Sequence, residues 1–426
     1  MPNIPTNVVN TFAADITALE SDVTTLTSDL NDATADLIST QATVATNTSN
    51  LLVAQEGQAS SSALQSATTS DKENEIDVEL HEGYTDSTST LNIIDGTGGG
   101  WRGKGNPGIN DAALTSCRNN SILRFTGTKT SGVPHILYER SDFYFEHCAF
   151  YGKSSADILA DTGTNTDIGI KITRAEAPYD GVGTGKLHFN NVTFAGYNTA
   201  IHRATAIGDA NCDENSYYNV LIARCGSGFK SMNAQGLSDV WYNLRVGNTD
   251  VMFDYYAGGK LDVIRATIFQ PCSFLKLRNS FPAGYGPNGS RWVFRGTDLD
   301  SQARNTRLLD CEAGMSIYGH VIFDGVHLSR NGTDVWDNEC WNVGDNVVVT
   351  IRDCFGLMPE MIKVNSTVGK TTVILEDSIA LKNYITVAED LIHPDSTGTF
   401  RFIVRNLFEV DSFTQIVTDY NETLIY

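Results

Sequence analysis

Basic residues are missing from the first 71 positions of the chain, where eight Asp and Glu side chains fall. The whole 426-residue sequence carries 30 Lys and Arg against 51 Asp and Glu, a formal net charge of −21. Nucleic acids and anionic membrane surfaces attract proteins through clustered Lys and Arg. We therefore expect no nucleic-acid partner and no membrane insertion.

Long apolar runs, a signal peptide and paired cysteine motifs are also missing. No stretch approaches the roughly 18 consecutive apolar residues of a membrane span, and the N-terminal MPNIPTNVVNTF has neither a basic region nor an apolar core. The eight cysteines include no CxxC, which favours free thiols in a reducing compartment. Partial matches to dinucleotide, phosphate and calcium motifs each miss an essential position. The sequence therefore predicts no cofactor and no metal site.

Aromatic residues divide the chain into two parts. Only Phe12 precedes residue 83, whereas all 16 Tyr, all five Trp and the other 18 Phe follow it. Two segments of such different composition are expected to be separate structural units, with a linker at residues 56–83 and the second unit at residues 84–426.

The first unit repeats apolar residues at alternating steps of three and four, which predicts a coiled coil over residues 8–55. The repeat consists of Val9, Phe12, Ile16, Leu19, Val23, Leu26, Leu30, Ala33, Leu37, Thr40, Val44, Asn47, Leu51 and Ala54. Buried polar residues at Thr40 and Asn47 fix register and strand number, and we favour three strands. The alternative is a long helix packed against a globular domain.

The second unit repeats a polar or glycine residue after an apolar-x-apolar-x run. These anchors are Asn191, Asn219, Asn243, Arg265, Gly325, Asp353, Asp377 and Asn406. Their separations are 28, 24, 22, 60, 28, 24 and 29 residues, and the 60-residue step spans two turns around RWVFRGTD. An apolar residue follows five anchors by ten positions, at Ile201, Phe229, Phe253, Leu275 and Val335. The period of two within each segment excludes helical repeats and predicts a right-handed parallel β-helix of about 12 coils.

Positions next to the anchors are predicted to alternate between core and surface. Cys148 and Cys354 stand where core residues stand in other repeats, so both are expected to be buried. Two surface columns are expected to alternate charge along the coils. They consist of Asp324, Arg352, Glu376 and Arg405, and of His202, Lys230, Asp254 and Lys276.

An N-terminal coiled coil that precedes a β-helix resembles the tailspike and tail-fibre proteins of bacteriophages, whose β-helices are pectate-lyase-like. INDAALTSCRNNSILRF (residues 109–125) is similar to the capping helix and first strand of many such proteins, with the helix near residues 109–118. The resemblance implies a homotrimer in the virion tail, made in the host cytoplasm. Residues 1–12 would then dock to phage tail or adaptor proteins, and the β-helix would contact host surface polysaccharide.

The candidate functional residues are carboxylates beside aromatic rings. Hydrolysis of a polysaccharide needs two carboxylates, and indole or phenol faces stack on sugar rings. The favoured catalytic group consists of Asp334, Asp337 and Glu339, beside Trp336 and Trp341. Exposed Tyr218 and Tyr242 are a second predicted glycan-stacking pair. Further carboxylates that we weighed are Asp250, Asp254, Asp310 and Glu312.

Three functions remain open from the sequence. The first is a receptor-binding protein that attaches to host cell-surface polysaccharide through the β-helix. The second is a glycoside hydrolase that depolymerises this polysaccharide with the same surface. The third and weakest is a structural spacer rod.

Overall fold

The computed structural model is mostly β, with 58% strand and 16% helical residues, as the sequence predicts. It describes residues 6–55, 61–66, 78–106, 120–173, 186–203, 214–232, 238–256, 259–278, 290–300, 302–303, 305–314, 319–328, 339–381, 385–409 and 414–426. The chain divides into two compact units, Met1–Glu56 and Gly57–Tyr426. The capping helix predicted near residues 109–118 lies outside the described residues.

The first unit is a single helix, α1 (Thr6–Gln55), of 50 residues. The large apolar heptad side chains from Ile16 to Leu37 are exposed, from 57% at Ile16 to 71% at Leu26. Threonine hydroxyls, such as that of Thr27 to the Val23 carbonyl at 2.7 Å, bond back to the preceding turn. One helix with an exposed apolar stripe does not establish a coiled coil, so the trimer stays a prediction. No described helix has the length and hydropathy of a membrane span.

The second unit, which we call the strand array, is built from 25 described strands. Most of them belong to two parallel stacks, and the chain passes from one stack to the other. Stack A contains β1 (Val78–Glu79), β2 (Gly83–Ser87), β4 (Gly100–Arg102), β5 (Ser121–Phe125), β7 (Phe143–Tyr151), β9 (Leu187–Ala195), β11 (Ser216–Ala223), β13 (Asp239–Gly247), β15 (Lys260–Ile268), β17 (Ser290–Leu299), β19 (Gly319–Leu328), β21 (Val347–Arg352), β22 (Phe355–Leu357) and β24 (Thr397–Glu409).

Stack B carries the intervening strands of the array. It contains β3 (Leu91–Thr97), β6 (Pro134–Ser141), β8 (Thr166–Ile172), β10 (Tyr197–Arg203), β12 (Ser227–Ser231), β14 (Val251–Tyr255), β16 (Ser273–Leu277), β18 (Arg307–Cys311) and β20 (Trp341–Val343). The long β23 (Ile362–Ala380) pairs with β20 through its first residues and with β21, β22 and β24 through later ones. Stack A together with the later residues of β23 has twelve described parallel layers when β1 with β2, β4 with β5, and β21 with β22 each count as one layer; about twelve coils were expected.

The strand array departs from the predicted boundaries at both ends. Parallel pairing begins at Val78, opposite Trp101, within the segment predicted as a linker. At residues 61–66 the chain forms a helical turn, and its Gln65 exchanges two hydrogen bonds with the backbone of Asn92. After β24, the last strand, β25 (Gln415–Ile425), pairs antiparallel with it and ends the parallel series.

Seven of the anchors are bends inside strands, and Asp353 lies between β21 and β22. All eight adopt the left-handed backbone conformation, with φ between 48° and 70°. Asn, Asp and Gly tolerate this conformation best, which explains why the repeat is polar or glycine rather than one residue type. His147 and Gly296 occupy the same bend in β7 and β17, at φ 51° and 63°. Neither is among the eight anchors named from the sequence, but the predicted core position of Cys148 implies a bend at His147, and the RWVFRGTD segment of the 60-residue step contains Gly296.

The core is one continuous cluster between the stacks. Phe145, Phe189, Tyr217 and Trp241 stack in successive layers, with ring centroids 5.2, 5.2 and 3.9 Å apart. Four of the apolar residues predicted ten positions after an anchor also lie in register; these are Ile201, Phe229, Phe253 and Leu275. The fifth, Val335, lies outside the described residues.

The surface and cysteine predictions are largely confirmed. Asp324, Arg352, Glu376 and Arg405 lie in register, and the Arg352–Asp324 and Arg405–Glu376 pairs each close to 2.5 Å. In the second column Asp254 instead pairs with Arg278 at 2.6 Å. All six described cysteines are buried and free; these are Cys148, Cys225, Cys272, Cys311, Cys340 and Cys354. Burial raises the pKa of the Cys272 thiol to about 12, so the described cysteines belong to the core.

Candidate functional site

The favoured carboxylate cluster is only partly described. Asp334, Trp336 and Asp337 lie outside the described residues, and only Glu339 of the predicted catalytic group can be placed. Its carboxylate accepts hydrogen bonds from Lys363 at 2.8 Å and Arg307 at 3.2 Å, with 15% of the side chain exposed. Two cationic donors on one carboxylate are typical of a structural ion-pair network.

Trp341 belongs to the core. Its side chain is 0% exposed and packs edge-on against Phe323, with ring centroids 6.2 Å apart. In stack B it lies in register between Leu309 and Ile362, both inward-facing. The prediction that this indole stacks on a sugar is therefore wrong, because strand alternation turns Trp341 inward even though carboxylates surround it in sequence.

Tyr218 and Tyr242 are where the sequence places them. They lie in register on β11 and β13, with 46% and 40% of their side chains exposed. Their ring centroids are 5.9 Å apart and the rings are tilted by 37°. Two adjacent exposed phenol rings offer an apolar surface of the kind that sugars stack on. Glycan binding by this pair stays a prediction.

A polar groove lies on stack A, one residue past the tyrosines. Its cavity of about 670 Å³ follows the bends of β9, β11 and β13. Its lining residues are mostly amides and other uncharged side chains, with two arginines, and come from several coils; they are Asn106, Asn191, Thr193, Asn219, Leu221, Arg224, Asn243, Arg245, Gly247, Asn248, Phe269, Gln270 and Gln302. We call this cavity the amide groove.

The outward-facing column two residues after each bend forms part of the lining. Thr193, Leu221 and Arg245 lie in register on successive layers. One layer earlier, Ala149 occupies this column, and it is covered by Ile158 of α2 (Ser155–Ala160). The groove therefore opens where the cover provided by α2 ends.

The loop after α2 contacts the lining residues. Asn165 Nδ2 donates to the Arg224 carbonyl at 3.5 Å, and Asn248 Nδ2 donates to the Asp161 carboxylate. The Arg224 amide in turn donates to the Gly247 carbonyl at 2.9 Å. These bonds join one end of the groove to the same excursion that carries α2.

Amide side chains leave hydrogen-bonding capacity in the groove. Asn243 Nδ2 donates to Asn219 Oδ1 at 2.8 Å, which leaves Asn243 Oδ1 and Asn219 Nδ2 without a partner among the described residues. Thr193 Oγ1 and Arg224 Nη1 are buried and unpartnered as well. Buried polar groups are normally paired, so the Thr193 and Arg224 atoms mark places where a polar ligand or water is accepted, whereas the Asn219 amide is exposed to solvent.

The lining favours binding over acid–base chemistry. Among the described residues that line the groove, none is Asp, Glu, His or Cys, so no side chain there suits a general acid, a general base or a thiolate nucleophile at neutral pH. The charged lining residues are Arg224 and Arg245. The Arg245 guanidinium lies over the Phe269 ring, 5.2 Å from its centroid. The groove can therefore hold a polar, uncharged or anionic ligand.

The sequence prediction does not include the amide groove, because the groove is lined mainly by amides and not by carboxylates beside aromatic rings. The available signal was three consecutive Asn anchors, Asn191, Asn219 and Asn243, followed by Arg245 two residues after the third. The position of α2 and of the loop after it is not set by the repeat. The spacing of the anchors therefore does not indicate which layers this segment covers and which it leaves open.

The other carboxylates weighed from sequence are mostly engaged in ion pairs on stack B. Arg278 bridges Asp254 at 2.6 Å and Glu312 at 2.8 Å. Asp310 accepts from Asn342 at 3.1 Å and lies 3.4 Å from Lys276. Burial opposes the charge on Asp310, but the Asn342 hydrogen bond and the Lys276 and Arg307 charges hold its pKa below its ordinary value. These contacts indicate a structural network.

Comparisons with known proteins give no family. No protein-family model and no curated protein sequence matches the chain. Two of the similar solved structures are an adhesin and a catalytic domain. PfbA, a surface adhesin of Streptococcus pneumoniae, aligns with a TM-score of 0.44 and 10% identity over 86% of this chain and 96% of its own. The Agl-KA catalytic domain aligns with a TM-score of 0.45 and 11% identity over 82% of this chain and 65% of its own. At these scores neither structure assigns a function.

Proposed function

We propose that the strand array binds a glycan in the amide groove, with Tyr218 and Tyr242 as an adjoining stacking surface. The observation that carries this proposal is the groove itself, a 670 Å³ cavity lined mainly by uncharged hydrogen-bonding side chains. Sugars present hydroxyls that both donate and accept, and side-chain amides supply both functions. Small-molecule sites of this size usually place a few polar groups in a concave surface.

The Tyr pair adds what the groove lacks, an exposed aromatic face. Each tyrosine directly precedes an anchor asparagine, Asn219 or Asn243, so the rings and the amides occupy the same two layers. A sugar chain that lies along the layers would meet a ring on one side of the bend and an amide on the other. Such repetition suits a polymer of similar units.

The wider proposal is that of a receptor-binding tailspike or tail fibre of the kind that the sequence resembles. In it, the array is a right-handed parallel β-helix, α1 forms a trimeric coiled coil, and residues 1–12 attach to a virion. The exposed heptad stripe of α1 supports the trimer, since about 60–70% exposure of apolar side chains is unfavourable in water.

Cleavage of the glycan remains the alternative and depends on Asp334 and Asp337, because Glu339 is engaged in ion pairs. Incubation with a bound polysaccharide and assay of new reducing ends tests it directly. Asp337→Asn should abolish release if the alternative holds. A protein that binds the polysaccharide and releases no reducing ends is an adhesin.

The test of the proposed function is binding of the full chain to an array of bacterial surface polysaccharides. Asn219→Gly with Asn243→Gly removes two groove amides and keeps residues that tolerate the left-handed bend, where φ is 52° and 57°. We expect at least ten-fold weaker binding, from about two lost hydrogen bonds. Asn406→Gly is the matched control, because Asn406 occupies the same bend at φ 51° outside the groove.

Two outcomes would contradict the proposal. One is that no polysaccharide on the array is retained. The other is that the double variant binds as tightly as the parent and the Asn406→Gly control.

A further inference from the structure

We infer that the glycan bound in the amide groove is anionic and that Arg224 and Arg245 bind its carboxylate, sulfate or phosphate groups. This inference rests on the proposed function and goes beyond it by naming the ligand class. It is carried by two guanidinium groups that line one cavity and make no ion pair among the described residues.

Paired arginines are common elsewhere in the strand array. Arginines that form ion pairs with a described carboxylate are Arg102, Arg124, Arg203, Arg278, Arg295, Arg307, Arg352 and Arg405. Carboxylates are abundant in a chain with a net charge of −21. Arg224 and Arg245 make no ion pair among the described residues, and the carboxylate bonded at the edge of the groove, that of Asp161, accepts from Asn248; the two arginines therefore form a local positive site on an acidic protein.

Arg224 is fixed at its backbone and free at its side chain. Its amide donates to Gly247 and its carbonyl accepts from Asn165, which holds the residue at φ 54° at the end of β11. Its Nη1 atom is buried and has no hydrogen-bond partner. A buried donor on a permanently charged group is costly unless a ligand or water accepts from it.

Arg245 complements Arg224 from the next layer. Its side chain is exposed, and its guanidinium lies over Phe269, which limits the directions it can take without neutralising it. Planar guanidinium groups bind carboxylate and phosphate oxygens through paired N–H donors. The surrounding amides and the unpartnered Thr193 hydroxyl are then left for the uncharged hydroxyls of the same sugar.

The test uses the full chain and an array with matched pairs of glycans. Hyaluronan, alginate and polygalacturonate carry carboxylates, and each is printed beside its carboxyl-reduced form. Heparin and its desulfated form test whether sulfate groups are bound, and a teichoic acid tests phosphate groups. Dextran and mannan are neutral controls. We expect retention on an anionic glycan, at least ten-fold weaker retention on its neutralised form, and weaker binding as NaCl rises from about 50 mM to about 500 mM.

Variants assign the effect to the groove. Arg224→Gln and Arg245→Gln should each weaken binding about ten-fold to a hundred-fold, the size expected for a hydrogen-bonded charge pair. Arg291→Gln, an exposed arginine outside the groove, should bind like the parent. Arg245→Lys keeps the charge and loses the planar fork, so its affinity should lie between those of the parent and Arg245→Gln. If Arg224→Gln lowers the melting temperature, the inference is tested by the binding of Arg245→Gln alone, because the Arg245 side chain is exposed.

The outcomes separate this inference from the proposed function. Retention on a neutral glycan that Asn219→Gly with Asn243→Gly weakens and the Arg variants leave unchanged would overturn the anionic ligand and keep glycan binding in the groove. Binding that neither set of variants changes would overturn both. Retention on no printed glycan would also count against both.

Discussion

The helix α1 and the strand array differ in how far they bury their large apolar side chains. In α1, Leu26 is 71% exposed and Leu30 67%, although their spacing is regular. In the array, Phe189 and Trp241 are fully buried; Phe189 stacks on Phe145 and Tyr217 in the layers before and after it, and Trp241 stacks on Tyr217. Apolar side chains of the array pack against the next layer of the same chain. The described apolar side chains of α1 are exposed, and we expect them to need a surface from outside their own unit.

This difference follows from the two periodicities. Most strands of the array pair in parallel with the strands before and after them in the same stack, so their inward side chains are buried within one chain. A heptad stripe covers one narrow side of a straight helix and buries nothing until another helix meets it. We therefore expect the array to fold as a single chain and α1 to be stable only in association.

The largest expected effect is on that association. Leu19→Asp with Leu26→Asp places two charges in the heptad stripe, and we expect the mass measured by light scattering to fall from three chains to one. Burying an unpaired carboxylate costs several kcal/mol, more than an exposed helix recovers elsewhere.

The control for the stripe variant adds the same charge on another face. Ser21→Asp with Ser28→Asp puts two carboxylates at exposed positions between the heptad residues, and these should leave the mass unchanged. A parent protein with the mass of one or two chains would contradict the trimer. Trimers that persist in the stripe variant would mean that the strand array associates by itself.

The second prediction concerns the core of the array. Trp241→Ala removes an indole stacked 3.9 Å from Tyr217, and should lower the free energy of unfolding by about 3–5 kcal/mol in denaturant titrations. Tyr242→Ala is the matched control one residue away. Because its ring is 40% exposed, the change should be about 1 kcal/mol or less. Equal losses for the two variants would break the assignment of inward and outward faces.

The smallest effect is on the pH dependence of the array, whose carboxylates have the Lys and Arg partners that residues 1–71 lack. The pKa of Asp310 is lowered in the folded state from an ordinary value of 3.8. A lowered pKa stabilises the fold above that value, and the contribution is lost as the pH falls below about 4.

Asp310→Asn tests this contribution. We expect it to cost about 1–2 kcal/mol of unfolding free energy at pH 7, and the difference from the parent to shrink as the pH falls from about 4 to about 2. Ser273 donates to the same carboxylate at 3.4 Å, so Ser273→Ala should cost less and leave the pH dependence in place. A difference independent of pH would contradict the role of the charge.

The repeat of the array was predictable from the sequence because backbone chemistry imposes it. Most of the left-handed bends are occupied by Asn, Asp or Gly, so the spacing of residues such as Asn219, Asp353 and Gly325 indicates the length of the repeat. His147 adopts the same bend at φ 51°, and histidine, like Asn and Asp, enters this conformation more often than most residues do.

The site was less predictable because it depends on which layers remain uncovered. Ile158 of α2 covers the column at Ala149, and nothing in the repeat indicates that this cover ends before Leu221. The prediction that Trp341 binds a sugar is wrong for a different reason. Its aromatic character and acidic neighbours indicated a surface site, but its place in the strand alternation puts it in the core.

A crystal structure of the protein with a retained oligosaccharide tests the central claim most directly. The account predicts sugar in the amide groove, with hydroxyls within hydrogen-bonding distance of Asn219 or Asn243 and a ring on the Tyr218–Tyr242 face. Sugar bound instead beside Asp334, Trp336 and Asp337, with the amide groove empty, would contradict it.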